Sequence, residues 1–174
     1  LKAAAARWFA PAIGFAVGAA ALLAAALPLP PLLGSHDPVL ALRGWPKFAQ
    51  DVEALRRRHG AAWVGTQSYG VLAQLQAEGI ITTPLLEVIE RDRYRNDEAL
   101  APDVSREGLI VDLSRRMAVE DVGRCFKMVT PVAELGRAGG MGKNQRYTAY
   151  LVSGPKRDVW FQGCPEQIRP GVWR

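Results

Sequence analysis

The glycine-rich segment 136–144 is the first part of the chain whose composition could bind phosphate. It carries four glycines and a Gly142–Lys143 pair. A phosphate-binding loop needs a glycine five positions before the Gly–Lys pair and a hydroxyl residue after the lysine. Arg137 and Asn144 occupy those two positions. We therefore predict a flexible hairpin loop, in which glycine takes positive φ angles without strain.

Ser68 lies in a second candidate motif, the segment 65–70, which reads Gly-Thr-Gln-Ser-Tyr-Gly. A nucleophile elbow needs a glycine two positions before the serine, whereas Gly65 stands three before it. The chain has two histidines, His36 and His59, and neither follows the serine as a general base would in that fold. We interpret Ser68 as the N-cap of a helix rather than as a nucleophile.

The two cysteines, Cys125 and Cys164, are too few for a zinc site, and neither histidine has a metal-ligand spacing to them. In an exported domain they could form one disulfide. Two separate thiols remain the alternative, because the sequence does not give the distance between them.

A charged loop between two predicted strands carries the candidate substrate-binding residues Arg91, Arg93, Tyr94 and Arg95. An extended backbone would point the three guanidinium groups to one side, where they could bind a phosphate or anionic lipid headgroups. The alternative is a solvated loop in which the arginines pair with neighbouring acids. The net charge across 90–98 is −1, with three arginines against four acids.

Composition limits the class of protein. The 174 residues are 49% hydrophobic and 22% charged, which excludes a disordered or collagenous chain. Residues 45–174 hold 19 of the basic and 16 of the acidic side chains, so the excess of positive charge is mild and indicates no nucleic-acid partner. Because the chain begins at Leu1, we expect it to be a piece of a longer protein.

The run Trp8–Leu27 has 20 residues without a charge, about the length that crosses a bilayer as a helix. Lys2 and Arg7 precede it, so the positive-inside rule predicts a cytoplasmic N-terminus. A cleaved signal peptide, ending near Ala24–Ala26, is the alternative. Both interpretations export the rest of the chain.

The remaining chain alternates helices and strands. Apolar residues at helical spacing predict a helix from Trp45 that ends at Gly60, and a second helix runs from Ser68 to Gly79. The basic triplet Arg56–Arg58 suits a helix C-terminus, with contact to anionic lipid as the alternative. Buried strands are predicted at 61–66, 85–89 and 109–113, helical turns at 117–122, a hairpin at 126–132 and 146–152, and a last strand at 159–161.

These elements predict an α/β fold: one N-terminal transmembrane helix followed by a small Rossmann-like three-layer domain, with a largely parallel sheet and an antiparallel edge hairpin. The expected organisation is a transmembrane helix and Pro-rich exit at 1–34, a linker at 35–44, an extracytoplasmic α/β domain at 45–161 and a tail at 162–174.

Several short motifs occur in an order that resembles one enzyme family. They are Asp37-Pro38, Leu42-Arg43-Gly44-Trp45, Trp63-Val64-Gly65-Thr66, Ser68-Tyr69, Glu87-Val88-Ile89, the loop 91–95, Gly108-Leu109-Ile110-Val111-Asp112, Phe126 and the strand 147–152. This order is similar to the C-terminal end of bacterial membrane glycosyltransferases of family 39, the dolichyl-phosphate-mannose protein mannosyltransferase type. After Tyr94 the chain departs from the family, because acidic and amide residues stand where an aromatic is expected.

The resemblance implies a parent hexosyltransferase that takes a sugar from a polyprenyl-phosphate donor at the outer face of the bacterial inner membrane. Its catalytic acid would lie in a first extracytoplasmic loop, which this chain lacks, so no catalytic or metal-binding residue is assigned here. We expect no cofactor in this chain, with a divalent metal in the parent left open. The implied partners are the lipid bilayer, the parent's other transmembrane helices and the polyprenyl-phosphate sugar. The alternative function is a single-pass membrane-anchored α/β binding or interaction protein.

Overall fold

The computed structural model describes residues 2–27, 42–89, 103–117, 119–137, 145–157, 159 and 164. The chain divides into two compact units, Leu1–Arg43 and Gly44–Arg174.

The first unit contains helix α1, Lys2–Ala26. In the described part of the chain, no helix combines the length and the apolarity that crossing a bilayer requires. The prediction of an N-terminal transmembrane helix was therefore wrong. It rested on the absence of charge, but 12 of the 20 residues in Trp8–Leu27 are Ala, Gly or Pro, which bring little apolar surface per residue.

The second unit begins with the helices and strands that the apolar spacing predicts. Helix α2 covers Trp45–His59, strand β1 Trp63–Thr66, helix α3 Tyr69–Glu78 and strand β2 Leu85–Glu87. Both helices end at a glycine in the left-handed conformation, Gly60 with φ 67° and Gly79 with φ 63°. Only glycine adopts that conformation without a Cβ penalty, which explains why the helices stop there.

The chain continues with strand β3 at Gly108–Leu113, helix α4 at Val119–Cys125, strand β4 at Phe126–Gly136 and strand β5 at Arg146–Pro155. The hairpin of β4 and β5 is confirmed, and its strands pair as far as Gly136 opposite Arg146. The last strand predicted at 159–161 was wrong at its described residue, because Val159 is helical and fully buried. An apolar run of this length does not distinguish a strand from a buried helical turn.

The five strands form one mixed sheet in the order β2-β1-β3-β5-β4. Strands β2, β1 and β3 are parallel, and β5 and β4 are antiparallel to their neighbours. The carboxyl ends of the three parallel strands therefore meet at one edge of the sheet, which we call the carboxyl edge. Their amino ends meet at the opposite edge, the amino edge.

Each face of the sheet is covered by its own hydrophobic core. On one face α2 and α3 bury Phe48, Val52 and Leu75 against β1 and β3. On the other face Val122 of α4 packs with Trp63 and Phe126. The helices on both faces hold the strand ends in place, so the loops at the carboxyl edge project from a rigid support.

Two charged groups fasten α2 to the rest of this unit. The guanidinium of Arg137 lies 4.4 Å from the centre of the Trp45 ring and donates a hydrogen bond from Nε to the Tyr147 hydroxyl at 3.1 Å. The buried Glu53 accepts a hydrogen bond from the Thr82 hydroxyl at 3.3 Å, outside α2, and further bonds from Arg56 and Arg57 of its own helix. The bond from Arg56 is the largest cause that lowers the pKa of Glu53 to about 2, against the opposing effect of burial.

Candidate functional site

The carboxyl edge contains a topological switch point between β1 and β3. The chain leaves β1 towards α3 and β2, on one side of β1, whereas it leaves β3 towards α4 and β4, on the other side. Because the two connections diverge, they open a crevice above the ends of these neighbouring parallel strands. Ligands of open α/β sheets bind in this position.

Asp112 stands in β3 at the base of this crevice and its side chain is completely buried. Its carboxylate accepts a hydrogen bond from the backbone N–H of Gln67 at 2.8 Å and another from the N–H of Leu113 at 2.6 Å. The Asp112 carboxylate thereby ties the residue that follows β1 to β3.

Burial raises the pKa of Asp112 to about 6, because a charged carboxylate is disfavoured away from water. Backbone hydrogen bonds from Leu113 and Gln67 oppose this increase, and the positive charge of Arg116 opposes it further. Asp112 is therefore a carboxyl group that changes its charge close to neutral pH.

Polar side chains and one tyrosine lie at the carboxyl edge, on the segments that follow β1 and β3 and on β5. Arg116, in the loop after β3, donates from Nη1 to the Ser68 hydroxyl at 3.4 Å, a long hydrogen bond across the crevice. The Thr148 hydroxyl donates to that of Ser114 at 2.7 Å. Tyr69 begins α3 beside Ser68 and has 58% of its surface exposed.

This set of groups is suited to binding a hydroxyl-rich ligand. A guanidinium group donates hydrogen bonds, and hydroxyl and amide groups both donate and accept them. Sugar hydroxyls, which also donate and accept, can therefore pair with this set. An exposed tyrosine ring offers an apolar face on which the C–H groups of a sugar ring can pack. In contrast, the oxygens of Asp112 are directed to backbone amides, and a general base must reach the proton that it abstracts.

Glu87, a second buried carboxyl group, is the last residue of β2, the strand that pairs with β1. It accepts a hydrogen bond from the Ile89 N–H at 3.0 Å. Glu87 and Asp112 do not combine with other ligands into a metal centre. Within the described ranges, no group of three or more His, Cys, Asp or Glu residues could hold a metal ion.

The structure brings some residues that the sequence singled out to this crevice and leaves others undescribed. Ser68 precedes α3 as predicted, but its side chain makes no capping hydrogen bond to that helix. Arg91, Arg93, Tyr94 and Arg95 lie outside the described residues, and so do Asp37 and most of the glycine-rich loop. The donor-binding role of the arginine loop stays a prediction.

Cys125 and Cys164 form a disulfide with a Cα–Cα distance of 5.6 Å, which decides between the two alternatives that the sequence left open. The backbone N–H of Cys164 also donates to the carbonyl of Val88, directly after β2. The disulfide and this hydrogen bond together hold residue 164 against the face of the sheet that α4 covers.

Sequence reasoning missed Asp112 as a site residue. The signal was present, because Asp112 is an acidic residue inside the apolar run Gly108–Leu113. A carboxyl group so placed is rarely buried without hydrogen-bond partners.

Comparisons of this chain with protein-family models, with curated proteins and with solved structures found no match.

Proposed function

We propose that the second unit is an extracytoplasmic accessory domain of a polyprenyl-phosphate-sugar-dependent membrane glycosyltransferase, and that its crevice binds the sugar acceptor. The observation that carries this proposal is the set of Arg116, Ser68 and Tyr69 at the switch point of the sheet. The order of motifs that resembles family 39 supports the enzyme class.

The disulfide supports the extracytoplasmic location. Cys125 and Cys164 are the only cysteines of the chain, and both are used in this one bond. Structural disulfides persist in oxidising compartments and are rare in the cytosol.

The domain binds and does not catalyse. The pKa of Asp112 is suitable for acid–base chemistry near neutral pH, but its side chain has no exposed surface. An acceptor hydroxyl in the crevice would meet Arg116 and Ser68, which can orient it, while the parent enzyme supplies the base and binds the polyprenyl-phosphate sugar, whose phosphate is the leaving group.

Titration with methyl hexosides tests this proposal. We expect methyl α-mannoside, α-glucoside or α-galactoside to shift the backbone NMR signals of Gln67, Ser68 and Tyr69 in the ¹⁵N-labelled chain. Arg116→Gln should weaken this binding by roughly tenfold, the effect of losing one charge-assisted hydrogen bond of about 1.4 kcal/mol.

Arg115→Gln is the matched control, because Arg115 is the exposed neighbour and its loss changes the net charge by the same amount. It should bind the hexoside as the wild type does. Two results would rule out the crevice as the acceptor site. One is an equal loss of hexoside affinity in both variants, and the other is a set of hexoside-induced NMR shifts confined to other parts of the chain. Sugar transfer by the purified chain, lost in Asp112→Asn, would contradict the non-catalytic role.

A further inference from the structure

The amino edge of the sheet, opposite the crevice, is strongly basic. On one side of it α2 ends with the exposed side chains of Arg57 and Arg58. The chain then turns into β1, and the Ala62 N–H donates to the carbonyl of Glu107 at 2.8 Å. Arg106, immediately before Glu107, is exposed at the same edge, and its carbonyl accepts the Trp63 indole N–H.

Four more cations reach this edge from the other side of the sheet. Phe126, the first residue of β4, pairs with Pro155, the last residue of β5. Arg124 and Lys127 lie close to Phe126 in the sequence, and Lys156 and Arg157 follow Pro155. All four cations are exposed.

The charge is unevenly distributed between the two edges. The seven exposed cations of the amino edge face three described acids, Glu78, Asp103 and Glu107, which leaves a net charge of +4. Arg56 and Glu53 also belong to this edge and leave its net charge unchanged, and Glu53 forms ion pairs with both Arg56 and Arg57. At the carboxyl edge five basic and five acidic described side chains cancel, namely Lys47, Arg115, Arg116, Arg137 and Arg146 against Asp51, Glu87, Asp112, Glu120 and Glu134.

We propose that the amino edge is a docking surface for an anionic phospholipid bilayer. Its cations come from the end of α2, from the segment before β3, from α4, from the start of β4 and from the residues after β5. They are therefore spread along the whole end of the sheet and suit a planar array of negative charges better than a single small anion. Lys and Arg near an anionic membrane surface each favour binding.

Aromatic exposure separates a bilayer from a nucleic acid as the partner. Single-stranded nucleic acids bind where aromatic rings are exposed for base stacking. The aromatic residues that the structure describes at this edge, Trp63 and Phe126, are buried. The large exposed side chain beside the cations is instead Met128, which is aliphatic and 64% exposed. An apolar side chain among cations is typical of surfaces that bind at the lipid headgroup boundary.

The proposal is independent of the ligand that the crevice binds, and its test leaves the crevice residues unchanged.

Cosedimentation of the full chain with lipid vesicles tests the docking surface. We expect more chain to bind phosphatidylglycerol vesicles than phosphatidylcholine vesicles at low salt, and high salt should abolish the difference. The triple variant Arg58→Gln, Arg106→Gln, Lys127→Gln should weaken the phosphatidylglycerol-specific binding by roughly a hundredfold, since each cation contributes about a factor of five.

The control variant Lys47→Gln, Arg115→Gln, Arg146→Gln removes the same charge from the carboxyl edge and should bind as the wild type does. Helix α1 is the same in every sample, so any lipid binding of its own cancels in the comparison. Three results would overturn the proposal. They are equal binding to both lipids, equal losses in the two triple variants, and tighter binding to a single-stranded oligonucleotide than to phosphatidylglycerol.

Discussion

Asp112 couples the stability of the domain to pH. The pKa of this carboxyl group is about 6 in the folded protein, against 3.8 for an ordinary aspartate. The folded state therefore binds a proton more tightly than the unfolded state does. The stabilisation is complete below about pH 4 and is lost as the pH rises through 6.

Replacing Asp112 with Asn should remove this pH dependence. In the wild type we expect the contribution of Asp112 to the free energy of unfolding to decrease by about 2 kcal/mol between pH 4 and pH 7. An asparagine side chain can still accept one backbone hydrogen bond, but it does not titrate, so the variant should show a flatter curve. Urea unfolding across this pH range measures both curves, and identical slopes would contradict a raised pKa.

At the residue scale, the sequence predicts local conformation better than it predicts burial. The left-handed Gly60 and Gly79 were predicted as helix ends because that preference is a property of the glycine itself. The burial of Asp112 depends on β5 and on the loop after β1, which meet it only in the folded sheet. The apolar run around Asp112 indicates a buried strand, but it does not identify the groups that cover this carboxyl group and bond to it.

At the element scale, the pairing of β1 with β3 depends on a glycine beside a tryptophan. Trp63 is opposite Gly108 in the parallel register, and its ring covers the glycine so closely that an added Cβ would lie 2.1 Å from Cε2. The ring is fully buried against Phe126, with ring centres 5.9 Å apart, so it has little room to move. This contact positions both strands whose carboxyl ends form the crevice.

Gly108→Ala should therefore destabilise the domain by about 2 kcal/mol or more, the usual effect of overpacking a core. Gly70→Ala is the control, because a Cβ there would meet only the Ser68 hydroxyl, at 3.8 Å. Alanine in α3 should leave stability unchanged or raise it by up to about 1 kcal/mol. Thermal unfolding of the two variants measures the difference, and equal stability would show that Trp63 can shift without cost.

Elements with a strong period were predictable, and the exceptions have physical reasons. Trp45, Phe48 and Val52 recur at helical spacing and form the buried side of α2. Strand β4 extends to Gly136, beyond the predicted end at 132, because pairing with β5 continues through residues that are partly exposed and carry little apolar signal. Cross-strand pairing, which a single sequence does not show, determines that boundary.

At the scale of the whole molecule, the two edges of the sheet have different chemistry. Among the side chains that the structure describes, the carboxyl edge has a polar crevice with balanced charge, whereas the amino edge has a net charge of +4. The composition showed only a mild basic excess of +5 over the chain, because the sum conceals how the topology sorts the charges. The order β2-β1-β3-β5-β4 determines which cations meet. The sequence predicted a largely parallel sheet, whereas the sheet is mixed, with two parallel and two antiparallel pairings, and the strand order was not predicted.

The central proposal is that this chain belongs to a membrane glycosyltransferase whose catalytic loop lies upstream, and the DNA upstream of Leu1 tests it most directly. We predict that the reading frame continues through about ten hydrophobic segments, each long enough to cross the bilayer. The first extracytoplasmic loop among them should carry an acidic pair that can act on the acceptor and the donor phosphate. A start codon immediately before Leu1 would contradict the proposal.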